Sequence, residues 1–164
     1  MAWKVLLYWI LEKRFPEMQC REDDCCWSML IRYWCLGDKY QIPGFQDACV
    51  LAIWECPCCD CDCIVTGFGE GFENSPPGSK IREFVAWAIA TTFRRCDEED
   101  QFSASALDHF DSIPGLLRAV VGALNLRFTK GEEWFSSDSR VEEFLICEES
   151  KTAYREMEGE VEPQ

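Results

Sequence analysis

The sequence predicts a mainly α-helical, bundle-like chain of about six helices. Three observations carry this. Apolar residues recur at i, i+3, i+4, i+7 and i+8 in one segment after another. Prolines, glycines and a candidate cap fall between those segments, where helices stop and start. No segment alternates with period two beside a second such segment; the short run Cys63-Ile64-Val65 has no partner run.

The first segment carries Trp3, Leu6, Leu7, Ile10 and Leu11, which predicts a helix with one buried stripe. Lys13 and Arg14 suit its C-terminal end, and Pro16 stops it. A second helix is expected from about Asp24 to Gly37, lined by Cys26, Met29, Leu30, Tyr33 and Leu36, with Gly37 as its stop. Asp38 to Gln41 reads as a turn. Pro43 suits the first position of a third helix, whose stripe is Phe45, Ala48, Cys49, Ala52 and Ile53.

Residues 56–79 change character. Cys56-Pro-Cys-Cys-Asp-Cys-Asp-Cys63 precedes Gly67, Gly69, Gly71 and Ser75-Pro-Pro-Gly78, and a long exposed loop is expected. Ser79 is a candidate N-cap for a fourth helix carrying Ile81, Phe84, Val85, Ala88 and Ile89. Phe102 to Phe110 reads as one or two helical turns. Ile113-Pro114-Gly115-Leu116 repeats the signal Ile42-Pro43-Gly44-Phe45: an extended residue before proline, then a helix start. Leu117, Val120, Val121, Leu124 and Phe128 form the next stripe. Ser139-Arg-Val-Glu142 matches a capping box opening a last helix. The expected organisation is therefore 1–55, a Cys/Gly/Pro-rich loop at 56–79, a helical extension at 80–155, and an acidic tail at 156–164. The loop would split two helical lobes.

The chain has 164 residues, with 16 Lys plus Arg against 30 Asp plus Glu, a net charge of −14. That balance argues against nucleic acid and anionic membrane as partners, since both need basic patches. No apolar run reaches the roughly 18 residues of a membrane span. Met1 to Phe15 lacks a cationic leader with a small-residue cleavage site. Twelve cysteines are many, but Cys26, Cys35 and Cys49 sit on apolar helical faces, where a thiol packs as a small hydrophobe. A reducing cytoplasmic or nuclear setting is the expectation.

Leu36-Gly-Asp-Lys-Tyr-Gln-Ile-Pro-Gly-Phe-Gln-Asp-Ala-Cys49 resembles the fungal BTB/POZ-domain proteins, in which a helix ends in an Ala-Asp-Lys-Tyr-like signature and an Ile-Pro-Gly-Leu-like turn opens the next. Val5 to Pro16 is similar to the family's helix that precedes it, and 81–93 and 113–128 resemble the helices that follow its core. Gly37 stands where the family usually has Ala, and Phe45 where it has Leu. The strand-bearing front half of the domain has no counterpart here, so the resemblance is to the C-terminal portion. It implies structural roles for Asp38, Lys39, Tyr40, Ile42, Pro43 and Phe45. It also implies a protein-binding module, with self-association or a cullin-type scaffold as partner if the full domain exists.

Five thiols at Cys56, Cys58, Cys59, Cys61 and Cys63 include two interpenetrating C-x-x-C pairs. So short a segment does not easily place four sulfurs around one zinc, and Cys20, Cys25 or Cys26 would have to help. An exposed Cys-rich loop, a thiolate metal site and a disulfide remain open readings, and a metal-binding regulatory protein is the alternative function. Gly67-Phe-Gly-Glu-Gly71 lacks both phosphate-loop patterns. His109, flanked by Asp108 and Asp111 and near Ser103, Ser105 and Ser112, has only local neighbours, whereas a triad converges from distant parts of a fold. The acidic run Asp97 to Asp100 reads as solvated surface and lacks an EF-hand pattern. No enzyme and no catalytic residue is expected. Trp9, Trp34, Trp54 and Trp87 fall off the main stripes, and either widen the core or leave an apolar patch.

Overall fold

The computed structural model describes residues 2–16, 26–56, 61–95, 108, 110–130 and 138–158. It is built from helices: α1 (Ala2–Glu12), α2 (Cys26–Tyr40), α3 (Pro43–Trp54), α4 (Cys61–Asn74), α5 (Lys80–Arg95), α6 (Leu116–Lys130), a 3-10 helix (Asp138–Phe144) and α7 (Glu148–Glu158). Among the described residues there is no strand. The mainly helical class expected from periodicity is what the chain adopts.

α2 lies between α3 and α4, and α4 leads on to α5, which pairs with α6. The 3-10 helix and α7 close over α3, and α1 lies against α2. Apolar side chains from all these elements join in one core cluster. An aromatic group lies within it: Trp54, Phe84, Trp87 and Phe144 form ring pairs with centroids 5.2–5.9 Å apart. Offset and edge contacts at such spacing favour aromatic pairs beyond the area they bury. Trp34 and Trp87 are core residues, while Trp9 and Trp54 are half-buried.

The 56–79 expectation is corrected. Residues 61–74 form α4, with Phe68 and Phe72 buried. Glycine-rich composition hid the helix, yet the glycines are what let it pack. A Cβ built on Gly71 would lie 2.2 Å from Ile31 Cγ2, so only glycine permits this approach of α4 to α2.

The hairpin of α2 and α3 also differs from the expectation. α2 does not stop at Gly37 but runs through Asp38-Lys39-Tyr40. Its end is a left-handed Gln41, φ 54°. The Ile42 N–H donates to Gly37 O at 2.9 Å and the Gln41 N–H to Asp38 O at 3.1 Å. These two bonds are the Schellman pair that satisfies terminal carbonyls. Ile42 then stands immediately before α3, and Pro43, lacking an N–H, opens it.

The second Ile-Pro-Gly is a different device. There Gly115 has φ 85°, Pro114-Gly115 forms a turn, and α6 begins only at Leu116. The α6 stripe is rotated too: Leu116 and Val120 are buried, while Leu117 and Val121 are exposed. Ser79 precedes α5 and its carbonyl accepts the Arg82 and Glu83 N–H groups, but its hydroxyl has no hydrogen-bond partner. Ser139 to Glu142 lies in the 3-10 helix rather than opening an α-helix. α7 reaches into the segment expected as tail, as far as Glu158. Its acidic first turn, Glu148 and Glu149, and its late Arg155 both suit the helix dipole.

Candidate functional site on the first helix and the helical hairpin

α1 is apolar on two faces, and among the described residues only one is covered. Leu6 is buried, with Ala2, Val5 and Trp9 partly buried beside it. Those residues follow the i, i+3, i+4, i+7 spacing of one helix face. The stripe expected to be buried is otherwise open: Trp3 is 50% exposed, Leu7 58%, Ile10 43% and Leu11 80%. Tyr40, at the end of α2 and 44% exposed, extends this surface. Its ring centroid lies 4.6 Å from that of Trp3. Exposed Lys4, Lys13, Arg14 and Lys39 sit among these residues. The Lys13 ammonium lies 4.9 Å from the Trp9 ring centre and that of Lys39 5.7 Å from the Tyr40 ring. Four exposed cations, together with exposed Glu12 and Asp38, thus accompany this apolar face on a chain with net charge −14.

The signature residues divide between this surface and the core. Phe45 is buried under α1, its ring 5.3 Å from Trp9 and 5.6 Å from Phe15. Asp38 is exposed and accepts a bond from Gln46 Nε2 at 3.4 Å. Ile42 and Pro43 shape the hairpin turn. Lys39 and Tyr40 face outward.

Asp47 was not singled out by its sequence position, and the structure gives it a long-range role. Its carboxylate is buried on α3 and accepts the N–H groups of Ile146 and Cys147, both at 2.7 Å, just ahead of α7. Burial pushes its pKa above the ordinary value of 3.8, and the two N–H donors, Ser150 and Lys151 offset part of that rise. The one available signal was that α3 is apolar nearly all round. Phe45, Gln46, Asp47, Cys49, Val50 and Ile53 are all buried, so a carboxylate there needs partners from elsewhere in the chain.

Of the cysteine set, Cys58 and Cys59 lie outside the described residues, and Cys61 and Cys63 fall in the first turn of α4. Cys56 follows α3 and is half-buried; its Sγ stands 2.9 Å from that of Cys26. Among the described residues no group of three or more His, Cys, Asp or Glu is placed to hold a metal ion. Cys49 is buried and Cys35 half-buried. Burial and then the neighbouring Asp38 push the Cys35 thiol up to about 11. Burial, Cys35 and Asp47 hold Cys49 well above the usual thiol range. Both are thiols at neutral pH and weak nucleophiles.

His109, Ser103, Ser105 and Asp97 to Asp100 lie outside the described residues; Asp108, Asp111 and Ser112 are exposed. Gly67 to Gly71 belongs to α4 and forms no phosphate loop. A cleft of about 450 Å³ opens by α5 and α6, lined by Phe72, Arg82, Trp87, Ala119, Ala123 and Phe144 among others. The Arg82 guanidinium lies 4.5 Å from the Phe72 ring centre, and its Nε donates to Ser75 Oγ at 3.3 Å. No helix among the described residues is long and apolar enough to cross a membrane. No protein-family model, curated protein or solved structure matches the chain.

Proposed function

We propose that the chain is a non-enzymatic protein–protein interaction module that binds through the outer face of α1. The observation that supports this reading is the open apolar stripe Trp3, Leu7, Ile10 and Leu11 with Tyr40 beside it. Removing a leucine-sized side chain from water contributes about 1.5–3 kcal/mol, so covering this face would drive association. The BTB/POZ part of the proposal rests on the resemblance of residues 36–49 and 5–16. The cationic rim of Lys4, Lys13, Arg14 and Lys39 suits a partner whose contact surface is acidic. A second copy of this acidic chain meets that description, and a cullin-type scaffold is the other partner the resemblance implies.

Sedimentation velocity under reducing conditions tests the proposal. The expected result is concentration-dependent association that weakens with salt and is lost in a Leu7→Glu/Leu11→Glu variant of unchanged helical content. A chain that stays monomeric at every concentration and captures no cullin scaffold would refute it.

A further inference from the structure

We propose that Cys26 and Cys56 are a disulfide-forming pair, a modification site at the open end of the α2–α3 hairpin. They stand 30 positions apart in the sequence, and the fold brings the two sulfurs to 2.9 Å. That is closer than two carbon atoms rest, about 3.5–4.0 Å. A disulfide of about 2.05 Å needs less than about 1 Å of further approach. Both backbones are held. Cys26 is the first residue of α2 and is buried. Cys56 lies just past α3, and its N–H donates to Ile53 O at 3.3 Å. The turn at Gln41 and Ile42 closes the other end of the hairpin, so the sulfurs meet without chain rearrangement.

The two thiols differ in access, which sets the order of events. Cys56 is half-buried and Cys26 buried. The oxidant is a low-molecular-weight disulfide of the oxidised-glutathione class. The Cys56 thiolate attacks one of its sulfurs; that S–S bond breaks, and one thiolate leaves with the electron pair. The Cys26 thiolate then attacks Cys56 Sγ, and the second small thiolate leaves. The protein dithiol is oxidised by two electrons, the small disulfide is reduced to two thiols, and the two cysteine protons end on them. The pair joins two Cys-rich stretches of the chain, Cys20 to Cys26 and Cys56 to Cys63. Oxidation would tie them together and fix the hairpin that carries Tyr40.

The test treats the full-length reduced chain with oxidised glutathione, alkylates the remaining thiols and reads intact mass. The expected product carries two fewer alkyl groups and no glutathione adduct. Cys26→Ser and Cys56→Ser should each abolish that loss, while Cys25→Ser and Cys58→Ser should retain it. The thermal midpoint gives a second readout: oxidation should raise it in the wild type and in Cys58→Ser but not in Cys56→Ser. A stable glutathione adduct, a cross-link that survives both Cys26→Ser and Cys56→Ser, or tightly bound zinc that blocks oxidation would each overturn the proposal.

Discussion

Replacing Gly71 with alanine should weaken the contact between α2 and α4. The added Cβ would lie 2.2 Å from Ile31 Cγ2, 2.7 Å from its Cδ1 and 2.9 Å from its Cβ. Carbon atoms rest at about 3.5–4.0 Å, so the helices must part or Ile31 must turn. Turning is opposed by the side chain itself: Ile31 is buried, and a β-branched side chain in a helix keeps essentially one χ1 rotamer. Overpacking of this kind costs about 1–3 kcal/mol. Alanine's better helix propensity offsets about 0.8–1.0 kcal/mol of it. The difference is about 0–2 kcal/mol, and three contacts under 3.0 Å place Gly71→Ala in the upper half of that range, which for a chain of this size lowers Tm by about 2–8 °C. Gly122 on α6 is the control, because a Cβ there meets nothing within 4 Å. Gly122→Ala should therefore stabilise, by about 0.5–1 kcal/mol. Urea and thermal unfolding followed by circular dichroism measure both. Combining Gly71→Ala with Ile31→Ala should cost less than the two single losses summed. A Gly71→Ala chain as stable as the wild type would refute the reasoning, as would additivity of the pair within about 0.5 kcal/mol.

The other predictions concern buried polar groups and thiols. Asp47→Ala removes the acceptor for two N–H groups ahead of α7 and should cost about 1–3 kcal/mol, with Asp47→Asn intermediate, by denaturant titration. Because burial raises the Asp47 pKa, its contribution to stability is greatest below its unfolded value of 3.8 and falls as pH rises through the folded value. Asp47→Asn should remove that limb from the acid stability profile. Cys35 has the same sign in the alkaline range: folding favours its thiol, so stability should fall between pH 9 and about 11, and less so in Cys35→Ala. The Arg155–Glu142 ion pair is largely solvent-exposed on the Arg155 side, and Arg155→Ala should change stability by no more than about 1 kcal/mol. Oxidising Cys26 and Cys56 closes a loop of about 30 residues, and the oxidised chain should gain about 3–4 kcal/mol against urea.

Local patterns were legible where one physical cause acted alone. The α5 stripe Ile81, Phe84, Val85, Ala88 and Ile89 is buried as its spacing implies, because three- and four-residue steps return to one helix face. The sequence of α4 does not announce a helix, because glycine and cysteine carry little helical signal. What selects the helix there is close packing of Gly71 on Ile31, a contact across 40 positions of sequence. The exposure of the α1 stripe has a related reason. Periodicity marks an apolar face but does not say whether this chain or another surface covers it, and α1 has two such faces. The two Ile-Pro-Gly segments look alike as text, yet one opens a helix at Pro43 and the other turns at Gly115.

The sequence by itself determined the helical class, the start of α3 at Pro43 and the burial of Cys49, because those follow from local periodicity, proline chemistry and the apolar character of a thiol. Only the tertiary structure decided that Leu7 and Leu11 of α1 face solvent, that Asp47 holds the start of α7 and that Cys26 meets Cys56. Each of these depends on which distant segment lies opposite, and a one-dimensional pattern of residue types does not contain that information.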